Sequence, residues 1–528
     1  MRKLVPWIET EKLTPQAGGT ALGLTDIGQV YNGLDGCITR EVLDALEAAH
    51  GSGPNMPCST TYAFERALQA PYLEIMLRGL KVDETSRRSA VASLRQRLIN
   101  LGGDKDLNQH GLLQRYAYAV WGKPLNPRST QQLIEFFYTK MRLPEQTIRQ
   151  KGVTKVSMNR ETLEKLEVYY YAQPIIATIL RIRDLTKQLQ VFETEIDPDG
   201  RWRCSYNIAG TENGRSSSSK SSEGTGNNLQ NIDPALRYVF VADPGWKLAN
   251  IDAAQSEARD VGWLHGTLFG DWTYLDNCES GDLHTSNCRL IWPELPWTGN
   301  LKQDLEIAER DFYYGFSYRD MSKRGGHLTN YYGTAWTAAR NLKVHIRVME
   351  TFREKYLAAF PAFPRWWTWV GQQLQLHTEL TTPFGFRRTF FGRPGDDTTL
   401  REAIACVPQS MTAQRVNLGL WRIWKYMPEV KVLGNGFDSI LFQYREEDEE
   451  RIISKALSLM EVPLYHAASG RKFLVPNEAK VGWNWMDAHN PSKPLSNDKN
   501  KYNPNGLMKW RGSKDPRRRL EGMEKPIL

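Results

Sequence analysis

Apolar residues recur every three to four positions through most of residues 62–190. "FERALQAPYLEIMLRGL", "SLRQRLINL", "TQQLIEFFYTKM" and "PIIATILRIRDLTKQL" each carry the spacing of an amphipathic helix. The pattern then changes. "RWRCSYNIAG" (201–210) reads as a strand, and the polar run "TENGRSSSSKSSEGTGNN" (211–228) as a long loop carrying Arg215 behind Gly214. An apolar strand through "WKLA" ends at Asp252, and a helix opens after it with Gln255, Glu257 and Arg259 in quick succession. Taken alone, that stretch is ordinary capping, with Asp252 as N-cap and Glu257 and Arg259 as a solvated face. Helical spacing returns from Gly281 to about Leu376, and "TTPFGFRRTFFGR" (381–393) then reads as a hairpin with a basic rim. "LREAIACVPQSMTAQRVNLGLWRIW" is helical, and "EVKVLGNGFDSILFQYRE" (429–446) is strand–turn–strand with Asp438 at its turn. From Met486 onward Asn, Pro, Lys and Arg dominate, a composition that predicts disorder.

At 528 residues the chain has room for roughly three or four domains. With 41% apolar residues and 17 Trp it can fill a large core. The formal charge of +8 suggests a polyanionic partner. Ten Lys and Arg against five Asp and Glu from Met486 to Leu528 place +5 of it in the tail, so a nucleic-acid site in the body must be a patterned cleft. The six cysteines form no CxxC pair and have no zinc-ligand spacing, as expected of idle thiols in a reducing compartment. "MRKLVPWIETEKL" is too briefly apolar for a signal peptide, and no run approaches the ~18 apolar residues of a membrane span. The expectation is a soluble intracellular protein.

Two carboxylates on neighbouring strand ends, Asp252 and Asp438, are placed to bridge two divalent ions for in-line phosphoryl displacement. Magnesium suits them, because it favours one or two carboxylates plus substrate phosphates over an all-protein cage. Within "YRDMSKRGGHLTNYYGTA" (318–335), Arg319, Lys323, His327 and Tyr331 stand four apart. Four helical residues turn ~400°, so the set drifts only ~40° per step and forms one stripe. Two cations followed by two rings suit a nucleoside triphosphate, phosphates at one end and base or sugar at the other. Gly325 and Gly326, at ~1 kcal/mol each relative to Ala, count against a quiet structural helix.

In this order the elements resemble the family A DNA polymerases of the bacterial polymerase I and phage replicase type. "DAAQSEAR" is similar to the family's first palm motif, "RDMSKRGGHLTNYYG" to its fingers helix and "GFDSILFQ" to its second palm motif. "GLKVDE", "LNPRSTQQL", "TENGRSSSS…NNLQNI", "GDLHT", "FGFRRTFFGR", "REAIACVPQS" and "VGWNW" keep the family's order, and the resemblance spans roughly residues 60–485. It implies an α+β right-hand fold with an antiparallel palm sheet and helical fingers and thumb. The implied division is an exonuclease-end remnant or N-terminal extension (1–60), thumb and helical connector (61–200), palm (201–280), fingers (281–400), second palm part (401–485) and basic tail (486–528).

The resemblance also implies roles. Asp252 and Asp438, with the carbonyl of Ala253, would hold two Mg²⁺ ions. Glu257 would be the steric gate against a ribose 2′-hydroxyl. Lys323, Arg319 and His284 would hold the incoming dNTP, with Gln255, His327 and Tyr331 beside it. Arg215, Gln230, Asn231, Arg401 and Gln409 would touch primer–template DNA. Departures are Phe437-Asp438-Ser439 where the family reads His-Asp-Glu, His327 where it has Phe or Tyr, and Tyr332 where it has a glycine. "YNGLDGCIT" (31–39) resembles the end of a proofreading exonuclease, with Tyr31 and Asp35 at matching positions; too little chain precedes it for that domain, so intrinsic proofreading is not expected. A separate exonuclease subunit or a processivity factor would be a partner, and the setting would be phage or bacterial replication in the cytoplasm. Two rivals share the pattern: a single-subunit RNA polymerase, which Glu257 opposes, and a non-catalytic DNA-binding subunit on a degenerate polymerase fold, which Asp252, Lys323 and Asp438 oppose.

Overall fold

The computed structural model describes residues 36–45, 59–104, 109–150, 153–313, 315–488 and 503–519. The chain divides into two compact units, Met1–Ala67 and Leu68–Leu528. In the first, residues 36–45 form a helix with an Arg40–Asp44 ion pair one turn apart. Tyr31 and Asp35 lie outside the described residues.

The second unit is α+β. Its seven site-building strands are β1 (Cys204–Asn207), β2 (Ser217–Lys220), β3 (Trp246–Ala253), β4 (Lys431–Asn435), β5 (Ser439–Arg445), β6 (Asn477–Gly482) and β7 (Met508–Lys509). Five of them make one antiparallel sheet in the order β4-β5-β3-β6-β7, so the central strand is the one that ends at Asp252. Trp246–Ala249 are buried on both faces; burial then alternates, leaving Asn250 and Asp252 half-exposed on a single face. That switch, from a continuous buried run to period two, aims the carboxylate out of the core.

Six helices position the remaining groups: α1 (Ser256–Phe269), α2 (Leu283–Ile291), α3 (Tyr318–Asn330), α4 (Ile346–Ala359), α5 (Asp397–Tyr426) and α6 (Glu449–Leu459). A buried ion pair joins α1 to α5. Arg415, 1% exposed, donates to both oxygens of fully buried Asp260 at 2.8 and 3.1 Å. Ser256 and Thr412 complete that network. The helical region ahead of the sheet has its own core, with Leu113, Phe136, Phe137, Leu163, Ile176 and Ile179 at its centre. Among the described residues no helix is long and apolar enough to cross a membrane.

Four expectations change. Asp252 is not a helix N-cap: the strand continues through Ala253, and Gln255 holds the cap position at φ +54° with no side-chain bond to the helix. The serine run is not all loop, since Ser217–Lys220 pair with Cys204–Asn207. The polar residues hid this strand because it is held by ladder bonds and by Ser218, which bonds Asn228 and Gln230, rather than by an apolar face. The tail is ordered over 503–519. Its β7 pairs with β6, and Asn503, Asn505 and Leu507 are buried. Finally, Gly325 and Gly326 are packing residues: a Cβ at Gly325 would lie 2.7 Å from the Phe352 ring, and one at Gly326 3.0 Å from Tyr356, both on α4. The missing side chains let α3 seat on those rings, which offsets their weak helix propensity.

Candidate active site

Strand register brings the two aspartates together. Asp252 on β3 stands opposite Ser439 on β5 and opposite Glu478 on β6. Asp438 immediately precedes β5, and its carbonyl accepts the Ala253 N–H at 3.0 Å. The turn that presents Asp438 is backbone-strained, with Phe437 in the left-handed region at φ +75° and its N–H tied to Asn435 Oδ1 at 2.8 Å.

The pair concentrates negative charge in a largely buried setting. Among the described residues neither carboxylate forms an ion pair with Lys, Arg or His. Burial raises the Asp252 carboxyl to about 7, with the charge of Asp438 adding to it and Lys480 opposing. Burial likewise raises Asp438, against the pull of Arg215 and Arg237. No group of three or more His, Cys, Asp or Glu able to hold a metal occurs among the described residues.

Both aspartates open onto a cavity of about 560 Å³, within the range of small-molecule sites. Its wall also holds Ala253, Gln255, Glu257, His284, Lys323, His327 and Tyr331, nine of the sequence-selected residues in one place. Lys323 and His327 come from α3, and His284 from the start of α2. Burial lowers His284 to about 4, helped by Arg319 and Lys323, and its Nδ1 is buried with no hydrogen-bond partner among the described residues. The His327 and Tyr331 rings meet edge to face at 5.2 Å.

Glu257 is no solvated residue. Its Oε1 takes the Arg215 guanidinium and its Oε2 the Tyr331 hydroxyl at 2.5 Å, so the carboxylate is fixed at the cavity wall. This also separates the adjacent tyrosines. Tyr331 bonds Glu257, whereas Tyr332, at φ +61°, packs its ring on Trp367 at 5.1 Å. Arg259 donates to the Cys278 carbonyl, so it too is tied into the fold.

Arg319 departs from the stripe. It is absent from the cavity wall and clamps Asp282, the N-cap of α2, through bonds of 3.0 and 2.8 Å. The ~40° drift per step places its fork against α2, where it fixes the turn carrying His284. The remaining residues surround the site without lining that cavity. Gln230 bridges the Ser216 and Asn435 carbonyls, Asn231 is exposed, Arg401 is exposed near Asp397 on α5, and Gln409 accepts from Asn213 at 2.7 Å.

A second cavity of about 290 Å³ shares Asp252 and Asp438 and is lined on its other side by Gln230, Arg237, Asn250, Lys480 and Asp487. Sequence reasoning missed Arg237, Lys480 and Asp487. Period-two spacing marks Lys480 as sharing a face with Glu478, but only the register of β6 against β3 places both beside Asp252.

The model for DNA polymerase family A matches residues 104–268. The thermostable DNA polymerase I of Thermus aquaticus is 24% identical over 451 residues, covering 80% of this chain and 48% of that protein. That of Thermus caldophilus is 25% identical over 403 residues (71% and 43%), and DNA polymerase I of Chloroflexus aurantiacus 26% over 351 residues (62% and 32%). The chain thus spans less than half the length of these relatives. Among solved structures, the POL domain of Pol1 from M. smegmatis, in complex with DNA primer-template and dNTP, superposes with a TM-score of 0.62 at 20% identity, covering 80% of this chain and 69% of that one. The fold is that of a polymerase domain, and residues 104–268 are similar to DNA polymerase family A.

Proposed function

We propose that the chain is a DNA-templated DNA polymerase that extends a primer 3′-hydroxyl with dNTPs. The observation that carries this reading is the single cavity joining Asp252 and Asp438 to Lys323, His284 and Glu257. Asp252, Asp438 and the Ala253 carbonyl are the groups that would hold two Mg²⁺ ions, which when bound supply positive charge at the reacting phosphate. Lys323 meets the triphosphate as a point charge. Neutral His284 offers a donor and an acceptor beside it, its unpartnered Nδ1 free for a phosphate or sugar oxygen. Glu257, braced by Arg215 and Tyr331, occupies the space a ribose 2′-hydroxyl would need. The hydroxyl attacks the α-phosphate, pyrophosphate leaves, and catalysis is mostly positioning and charge. The primer–template and dNTP seen with the M. smegmatis domain are the partners this site would accept.

Primer extension with Mg²⁺, offering dNTPs and rNTPs separately, tests the reading. Template-dependent extension with dNTPs alone is expected. Extension with rNTPs at equal rate would favour an RNA polymerase, and duplex binding with no extension by either would favour a non-catalytic subunit.

A further inference from the structure

Two cavities meet at the aspartate pair, and they share Asp252 and Asp438 and no other residue. The larger has Lys323 and His284 to receive a triphosphate. The smaller, of about 290 Å³, has Arg237 and Lys480 as its cations. Its floor is the aspartate face of the sheet. Residues directly opposite across a ladder share a face, as do i and i+2 along a strand. Asp252 is opposite Ser439, and Asn250 is opposite both Leu441 and Lys480; all of them line this cavity. Met486, Asp487 and Leu507, from the tail beyond the stretch that resembles the polymerase family, line it too.

Arg237 is the cation here that no protein group neutralises. It sits on the 3₁₀ turn Pro234–Val239. Its Nε is buried without a hydrogen-bond partner, and among the described residues its guanidinium forms no ion pair. The carboxylates that pull on it are Asp487, Asp233 and Asp438, and burial lowers its pKa against all three. Asp487 is taken by Lys480 at 2.8 Å, and Asp233 accepts from the Ala235 N–H and from Gln188. Asp438 is one of the two aspartates that would hold metal. The guanidinium lies 4.4 Å from the centroid of the buried Trp485 ring, and the Trp485 backbone N–H is tied to the Phe240 carbonyl at 3.0 Å. Stacking on an anchored indole holds the fork of donors in one plane, which suits capture of a phosphate.

We infer that the smaller cavity seats the 3′-terminal nucleotide of the primer, with Arg237 on the phosphate that links it to the nucleotide before. This rests on the polymerase reading. In-line displacement brings the attacking hydroxyl to the α-phosphate from the side opposite the leaving pyrophosphate. With the triphosphate in the cavity of Lys323, the hydroxyl and its sugar come from the other side of the aspartates, which is the side of Arg237. The first phosphate on the primer strand behind that hydroxyl is the 5′-phosphate of the same nucleotide, and it supplies the negative charge that Arg237 lacks.

The test binds fluorescent primer–template duplexes in which one primer linkage at a time, from the first to the fourth behind the 3′ end, is a neutral methylphosphonate. No nucleotide is present, and anisotropy reads affinity. In wild type, neutralising the first linkage should weaken binding by about 10- to 150-fold, the range for hydrogen bonds to a charged group, and the other linkages by less. Arg237→Gln should lose a similar factor with the natural duplex, lower the salt slope of binding by about 0.9, and lose nothing further from the first-linkage methylphosphonate. Arg237→Lys should keep the salt slope and recover part of the affinity. Far-UV dichroism and melting check both variants, and the wild-type scan holds whether or not they fold. Equal losses at all linkages, a maximum at another linkage, or additive losses in Arg237→Gln overturn the assignment. If wild type then extends primers all the same, the polymerase reading stands. A first-linkage maximum coupled to Arg237 in a chain that never extends primers supports the site and overturns the polymerase reading.

Discussion

Removing the guanidinium from the buried pair on the helix that carries Glu257 tests how the site is held. Arg415 and Asp260 are 1% and 0% exposed, and Arg415 supplies two of the four hydrogen bonds that Asp260 accepts, the others coming from Ser256 and Thr412. Arg415→Met fills much of the volume between Phe384 and Phe473 but leaves a carboxylate in the core with two hydroxyls and no counter-charge. Breaking a buried pair from one side costs about 3–5 kcal/mol, because the surviving ion is desolvated without compensation. Replacing both partners, as in Asp260→Leu with Arg415→Met, removes that ion and should recover most of the loss. With a urea slope of about 3 kcal/mol per M, 4 kcal/mol moves the midpoint down by roughly 1.3 M. Urea titration followed by tryptophan fluorescence measures it. A single variant with the wild-type midpoint, or a double variant no better than the single, would refute the argument that charge compensation sets the cost. Because Ser256 opens the helix carrying Glu257, the single variant should also discriminate less sharply between dNTPs and rNTPs.

Asp252→Asn or Asp438→Asn should abolish extension with DNA affinity nearly intact, whereas Ser439→Ala should change it little; near-normal turnover in Asp438→Asn would sink the metal-pair assignment. Glu257→Ala should admit rNTPs that wild type rejects, read as the ratio of kcat/KM for the two nucleotide classes. His284, lowered by burial to about 4 from an ordinary 6.5, contributes stability that is present at neutral pH and is lost as pH falls from about 6.5 through 4; His284→Gln should flatten the midpoint-versus-pH curve over that window. Gly325→Ala places a Cβ 2.7 Å from Phe352, and overpacking of about 1–3 kcal/mol should outweigh the gain in helix propensity, seen as a lower melting temperature.

The chemistry of this site was legible in the sequence to the extent that it is local. A strand ending in Asp252, a hairpin turn holding Asp438 and a helix with Lys323 and His327 on one stripe are short-range patterns, each set by period two, turn chemistry or 3.6-residue periodicity. The ordered motifs carried the family resemblance for the same reason. What no local pattern carries is partnership across the chain. That Arg215 and Tyr331, residues 42 and 74 positions from Glu257, each take one of its oxygens follows from packing alone. Arg319 shares the helix stripe, yet the drift of that stripe and the position of α2 turn it to Asp282 and out of the cavity. Composition predicted a disordered tail because solvent is the default partner of a charge, and only the fold supplies Lys247 and Glu449 as the alternative. Sequence determines which groups a segment can offer; burial and register, which depend on residues hundreds of positions apart, decide which of them meet.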